Sequence, residues 1–225
     1  MKKTNLFFCL FMAILLFTGC SKNGGTAVGN SGSENTGIVT KENESTENEE
    51  NPPQNEVAML DFFLPDGSKA HYQGEGNEFA ELDIEVAHPF KDYVIIHENN
   101  GGSLVRHIYK IENDKIIILE KMMIDYKQDF PTQKELDAMA PSGIYLKKPF
   151  TVGTAFGNWS IIETDVSVET PYQTFDHAFI IEMKENDIIN RKYFVKGFGE
   201  IKRESIMKTT DGEFVVISTL KSVEK

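Results

Sequence analysis

From Ala80 to Val86 every second residue is apolar and every residue between is an acid: Ala80, Leu82, Ile84 and Val86 alternate with Glu81, Asp83 and Glu85. Successive side chains of a strand point to opposite faces, so a period of two puts one face on a core and the other in water. A helix would need a period of 3.6. The same alternation returns in Ile162, Thr164, Val166 and Val168 against Glu163, Asp165, Ser167 and Glu169, and in Phe214, Val216, Ser218 and Leu220. β-Branched and aromatic residues fill these runs, as a pleated, half-buried surface favours.

Turn chemistry separates the runs. Pro65-Asp66-Gly67, Asn100-Gly101, Asn113-Asp114 and Asp211-Gly212 each sit between apolar stretches. Such pairs tolerate the positive φ of tight hairpins. Strands are expected near 58–64, 68–74, 79–88, 92–99, 103–112, 115–126, 159–169, 174–183, 190–197, 200–208 and 213–221, roughly ten once fused or broken runs are allowed for. One short helix interrupts them. Thr132-Gln133-Lys134-Glu135 has capping-box spacing after Pro131, Leu136 and Met139 would face the sheet, and Pro141 and Gly143 would end it. The expectation for residues 57–225 is all-β: a single antiparallel sheet-rich domain, a half-barrel or a sandwich, with one short helix.

The chain begins differently. Lys2 and Lys3 precede an apolar run from Leu6 to Phe17. That run is too short to cross about 30 Å of hydrocarbon and has the charged-then-apolar layout of an export signal. Phe17, Thr18, Gly19 and Cys20 follow, and they resemble the lipobox of bacterial lipoproteins, with Phe17 where leucine is usual and Leu16 one step earlier. The resemblance implies that residues 1–19 are a signal peptide removed before Cys20 and that Cys20 carries a diacylglyceryl thioether. Two acyl chains make attachment stable where one does not. The chain has two cysteines, Cys9 and Cys20. One leaves with the signal and the other takes lipid, so the mature fold has no disulfide to rest on. Residues 20–56, the lipidated cysteine and the Gly-, Ser-, Asn- and Glu-rich stretch behind it, hold too little apolar surface to fold. They are expected to be a disordered acidic tether with a reach of about 30–35 Å.

Residues of the domain also resemble a group of secreted lipoproteins of low-GC Gram-positive bacteria. They are Tyr72-Gln73-Gly74, Gly76-Asn77-Glu78, Lys148-Pro149, Val152-Gly153-Thr154, Trp159 and the run Tyr193 to Lys202. The group has no assigned activity. The resemblance implies the outer leaflet of a single membrane, although Ser21 after the cysteine would also permit an outer-membrane destination.

Each candidate site competes with a structural role. The formal net charge of −12 opposes nucleic acid and direct docking on anionic lipid. Among the histidines, a two-residue Asn100-Gly101 hairpin would set His97 opposite Leu104 and His107 opposite Val94, pointing them to opposite faces. A one-residue bulge in the turn would instead gather His97, Val105 and His107 on one face. His71, His88 and His177 have no close ligand spacing. No metal site and no cofactor is expected. Gly74-Glu75-Gly76 and Lys196-Gly197-Phe198-Gly199 precede strand-like sequence rather than a helix, so they read as bends or close-packing points, not phosphate loops. There is no Gly-x-Ser-x-Gly elbow, and no free thiol survives processing. The many aromatics, Phe62, Tyr72, Tyr109, Trp159, Phe179 and Phe194 among them, either fill the core or line an apolar cavity. The filled core is the favoured reading.

The function expected is that of a lipid-anchored extracytoplasmic envelope protein at the outer face of the cell membrane. It is expected to be no enzyme, with no catalytic residue, and to act by binding a protein, a wall component or an apolar ligand. The alternative is an envelope hydrolase with a carboxylate pair that sequence does not reveal, and a third reading is a purely accessory lipoprotein. In cells expressing Cys20→Ala, unprocessed precursor and loss of membrane retention are expected by fractionation and intact-mass measurement. Wild-type processing and retention of that variant would defeat the lipoprotein reading.

Overall fold

A computed structural model describes residues 57–210 and 212–225. The expected signal peptide, Cys20 and the expected tether through residue 56 lie outside the described residues. A 3₁₀ turn at Met59–Phe62 leads into β1 (Lys69–Glu75), β2 (Leu82–Phe90), β3 (Tyr93–Asn99), β4 (Leu104–Ile111) and β5 (Lys115–Ile124). The helix α1 (Gln133–Ala138) and β6 (Gly143–Lys147) follow, then β7 (Ala155–Phe156), β8 (Trp159–Glu169), β9 (Thr174–Glu185), β10 (Ile188–Val195), β11 (Gly199–Thr209) and β12 (Gly212–Glu224). All twelve strands form one antiparallel sheet in the order β6-β5-β4-β3-β2-β1-β12-β11-β10-β9-β8-β7.

Every pairing but one joins neighbours in sequence, as short hairpins dictate. The exception is β1 with β12, which ties the two ends of the domain together in mid-sheet, with Tyr72 opposite Leu220. The sheet curls until its edges, β6 and β7, bring Cα atoms within 8 Å of each other. The result is a near-barrel, all-β with one short helix. Among the described residues no helix is long and apolar enough to cross a membrane.

Two layers of core form. Inside the curve lie the alternating apolar residues, including Leu82, Ile84 and Val86 of β2 and Phe179, Ile181 and Phe194 of β9 and β10. Outside, Tyr93, Ile95, Ile108, Ile117 and Leu119 make a second cluster capped by Leu136 of α1. That cover explains why β3 and β5 read as unbroken apolar runs: they are buried on both faces. The helix starts as its spacing predicts, with Thr132 Oγ1 accepting from Glu135 N–H and Glu135 Oε2 accepting from Thr132 N–H. Tyr93 Oη donates to Asp137 at 2.5 Å and pins the helix to the sheet.

Three expectations need correction. Residues 58–64 are not a strand but the 3₁₀ turn and an extended stretch that plug the interior, with Met59, Phe62, Phe63 and Leu64 buried. A short all-apolar run fits a buried strand and a buried plug equally well by periodicity. Strands β6 and β7 were not anticipated, because they are short edge pieces of five and two residues. The Asn100-Gly101 hairpin is also longer than the two-residue turn, since Asn99 pairs with Leu104. Asn100 Oδ1 accepts from Gly102 N–H and Ser103 N–H, which stabilises the wider loop.

The plug depends on Gly197 and Gly199. Gly197 N–H donates to Asp61 O at 2.7 Å. Both glycines have positive φ, but a Cβ on Gly199 would stand 2.3 Å from Phe62 O, whereas one on Gly197 would meet open space. Gly197→Ala should cost about 1–2 kcal/mol from backbone strain alone. Gly199→Ala should cost clearly more in urea unfolding and should expose the plug to protease. Equal losses for the two variants would contradict the close approach.

Candidate functional site

The concave side of the sheet carries charge among its apolar residues: Glu98 and Lys192 stand on the inward parity of β3 and β10, and three bulges turn further polar residues inward. In β11 the register slips beside Phe194, which faces Glu200, while Tyr193 faces Lys202. Glu200 and Arg203 are three apart and would point to opposite faces of a regular strand; the slip turns both inward. In β5 the same slip lies between Ile118, opposite Tyr109, and Glu120, opposite Ile108. It sends Lys121 inward, paired with His107. In β6 the extra residue is Tyr145.

These side chains converge. Arg203 donates through Nη2 to Glu98 Oε2 at 2.9 Å, from β11 across to β3, and through Nε to Glu200. Lys192 Nζ donates to Glu200 Oε2 at 2.8 Å, and Tyr145 Oη donates to the same oxygen at 3.2 Å. Tyr72 Oη donates to the backbone oxygen of Glu200 at 2.6 Å. Lys192 also lies over two rings, 5.2 Å from the centroid of Tyr145 and 5.8 Å from that of Trp159.

Burial by itself would raise the Glu200 carboxyl, but Arg203 and Lys192 outweigh it and hold it at about 2. Glu98 is likewise held low by Arg203 against the opposing effect of burial. Burial pushes the Lys192 ammonium down, with Glu200 opposing. Burial lowers His107 to about 4, so its imidazole is neutral at pH 7. Its Nε2 is buried without a hydrogen-bond partner and lies 3.9 Å from Glu98 Oε2. Among the described residues Lys121, at the exposed end of the group, makes no ion pair.

A cavity of about 60 Å³ sits beneath this network, bordered by Phe63, Tyr72, Glu98 and His107. Two neighbouring chambers measure about 160 Å³, beside Ile144 and Ile181, and about 280 Å³, beside Asn190 and Ser205. Lys121 and Lys192 border all three spaces. Toward the plug the interior is packed with rings instead: Phe62 meets Phe150 at 4.7 Å and Phe179 at 5.5 Å, and Phe179 stacks on Phe194. A general acid must keep its proton near neutral pH. Glu98 and Glu200 are both held ionised by their cations, so neither is poised as a general acid.

No family model matches the chain, and no curated protein matches it. Two solved structures align with it. One is a candidate exported protein with a YmcC-like fold from Bacteroides fragilis, 11% identical, covering 75% of this chain and 99% of its own, with a TM-score of 0.46. The other is a candidate lipoprotein from Parabacteroides distasonis, 13% identical, covering 76% of this chain and all of its own, with a TM-score of 0.41. These likenesses say nothing of what the chain binds.

The residues singled out from sequence are scattered. Cys20 lies outside the described residues. His97 pairs with Arg106 and His107 with Ile96, so the hairpin register differs from the expected one by two residues while the two histidines still point to opposite faces. His97 stacks on Phe130 outside the sheet, and His107 lines the cleft. His71 and His177 are engaged by Asp83 and Asp165, and His88 by the Leu64 carbonyl. The glycine motifs are close-packing points: a Cβ on Gly74 would stand 2.2 Å from Glu81 N. Sequence reasoning missed Glu98, Lys121, Lys192 and Arg203. The available signal was polar residues on the inward parity of central strands, as in Asn190, Lys192 and Phe194.

His107 makes the site acid-sensitive. Its folded value lies below its ordinary one, so the unfolded chain takes up a proton first as pH falls. The stability it supports is complete above pH 6.5 and drains away down to about pH 4. Full expression of that shift would cost about 3 kcal/mol. Urea unfolding of His107→Gln should show a shallower loss between pH 6.5 and 4 than wild type, and an unchanged slope would contradict a buried neutral imidazole.

Proposed function

We propose that the chain is an exported lipoprotein, held at the extracytoplasmic face of the cell membrane through lipid on Cys20, that works by binding a polar ligand in the concave cleft and performs no chemistry on it. In the single-membrane cell that the Gram-positive resemblance implies, the tether would set the domain off the lipid surface and within reach of the wall. The anchor rests on residues 1–20: the basic start, the short apolar run and the Thr18-Gly19-Cys20 sequence.

The observation that carries the binding reading is a contrast within one cleft. The carboxylates that could do acid–base work are tied up by Arg203 and Lys192, while His107 Nε2 is buried with nothing to bond. An unpaired buried polar atom costs roughly 1–3 kcal/mol, which a ligand group reaching it would recover. Buried polar groups converging on a cavity are the usual make-up of a ligand site.

Trp159, the single tryptophan of the chain, borders the cleft and reports on it. Adding a solubilised envelope digest to the full-length protein in detergent should shift the Trp159 emission reversibly. Mass spectrometry should recover the digest components unaltered. Conversion of a component to smaller products would overturn the non-catalytic reading, and an unmoved emission would overturn the binding one.

A further inference from the structure

The 280 Å³ chamber has a composition of its own. Asn190 of β10 and Ser205 of β11 are directly paired and share its wall. Among the described residues neither side chain makes a hydrogen bond. Trp159 forms another wall, half-buried, with the Lys192 ammonium above its ring. An amide, a hydroxyl and an aromatic face together suit a ring that is apolar on one side and edged with hydroxyls. An apolar ligand would leave the amide and hydroxyl unpaired.

Charge adds a second requirement. Lys192 is already compensated by Glu200, so among the described residues the cation of the cleft without an ion pair is Lys121. Lys121 and Lys192 border the narrow cavity and both chambers, so two lysines are common to all three spaces. His107, more than nine-tenths buried and with its Nε2 unpartnered, also lines the narrow cavity. The whole chain carries −12, so an anion is not drawn to this protein by its overall field. It would be held only where cations are placed for it.

We propose that the cleft is a binding site for an acidic saccharide: the sugar ring lies against Trp159 with its hydroxyls toward Asn190 and Ser205, and its anionic group sits between Lys121 and Lys192 within reach of His107. This rests on the binding function proposed above and names its ligand class. The anionic group is a carboxylate, as in a uronic acid, or a phosphoryl group on a sugar; both meet the same donors.

Trp159 emission again gives the readout, with the full-length protein in detergent and four probes: a galacturonate oligomer, a phosphorylated glucose oligomer, a neutral glucose oligomer and oligoglutamate. Saturable binding of at least one acidic saccharide is expected, about tenfold tighter than either the neutral sugar or the peptide. Lys121→Glu, at an exposed position that leaves the core intact, should weaken that binding about tenfold or more. His107→Gln should weaken it less while leaving the fold measurable by circular dichroism. A response to the galacturonate oligomer alone assigns a carboxylate, and a response to the phosphorylated oligomer alone assigns a phosphoryl group. Equal binding of the neutral sugar, equal binding of oligoglutamate, or full affinity in Lys121→Glu overturns the proposal. Silence toward both acidic saccharides also overturns it: if the envelope digest still shifts the emission, only the ligand class falls, and if the digest is silent too, the binding function falls with it.

Discussion

Arg203 stands on β11 and reaches Glu98 on β3, with β12, β1 and β2 between them in the sheet. A guanidinium in this place touches both sides of the curve, and it also holds Glu200 on its own strand. Removing any one of these charges from water costs several kcal/mol, and only mutual pairing with full hydrogen bonding repays it. The group meets that condition through Lys192, Tyr145 and the paired oxygens of Glu200 and Glu98. An apolar set of equal volume would pack as well. What the charges add is a fixed crossing point for strands that share no backbone hydrogen bond.

The rest of the interior divides around that crossing. On the plug side it is filled by Phe62, Phe150, Phe179 and Phe194, whose ring contacts are edge-on or stacked. Such pairs add about 0.5–1.5 kcal/mol each beyond the area they bury. On the other side, charged and amide groups cannot close on one another as rings do, so space remains between them. The plug touches the wall of that space, since Phe63 lies against Tyr109 and Tyr145. The segment that leads into β1 therefore helps shape the cleft.

The outer face follows a different logic. Helix α1 covers Tyr93, Ile95 and Ile108 and allows β3 and β5 to be apolar on both sides. Nearby, Arg106 binds Glu120 through Nε at 2.7 Å and Gln128 through Nη1 at 3.3 Å, so the segment before the helix is held down by polar contacts. The insertion between β5 and β6 is thus a lid on an otherwise exposed apolar surface.

Period-two alternation by itself determined the strand class of β2, β8 and β12, and the Thr132–Glu135 spacing determined where α1 begins, because both are consequences of local geometry. That aromatic side chains would gather inside the sheet was legible for the same reason, because large apolar side chains on strand parity have to meet; whether they would leave space between them was not. Tertiary structure alone decided that residues 58–64 are a plug, because an apolar run does not say what will surround it. It alone decided the cleft as well. Glu200 with Arg203, and Lys121 with Ile118, are three residues apart and belong on opposite faces of any regular strand; a bulge puts them on one face only when the partner strand slips by a residue. That slip depends on the neighbouring strand and on the charges it brings together, and neither is written in the local sequence.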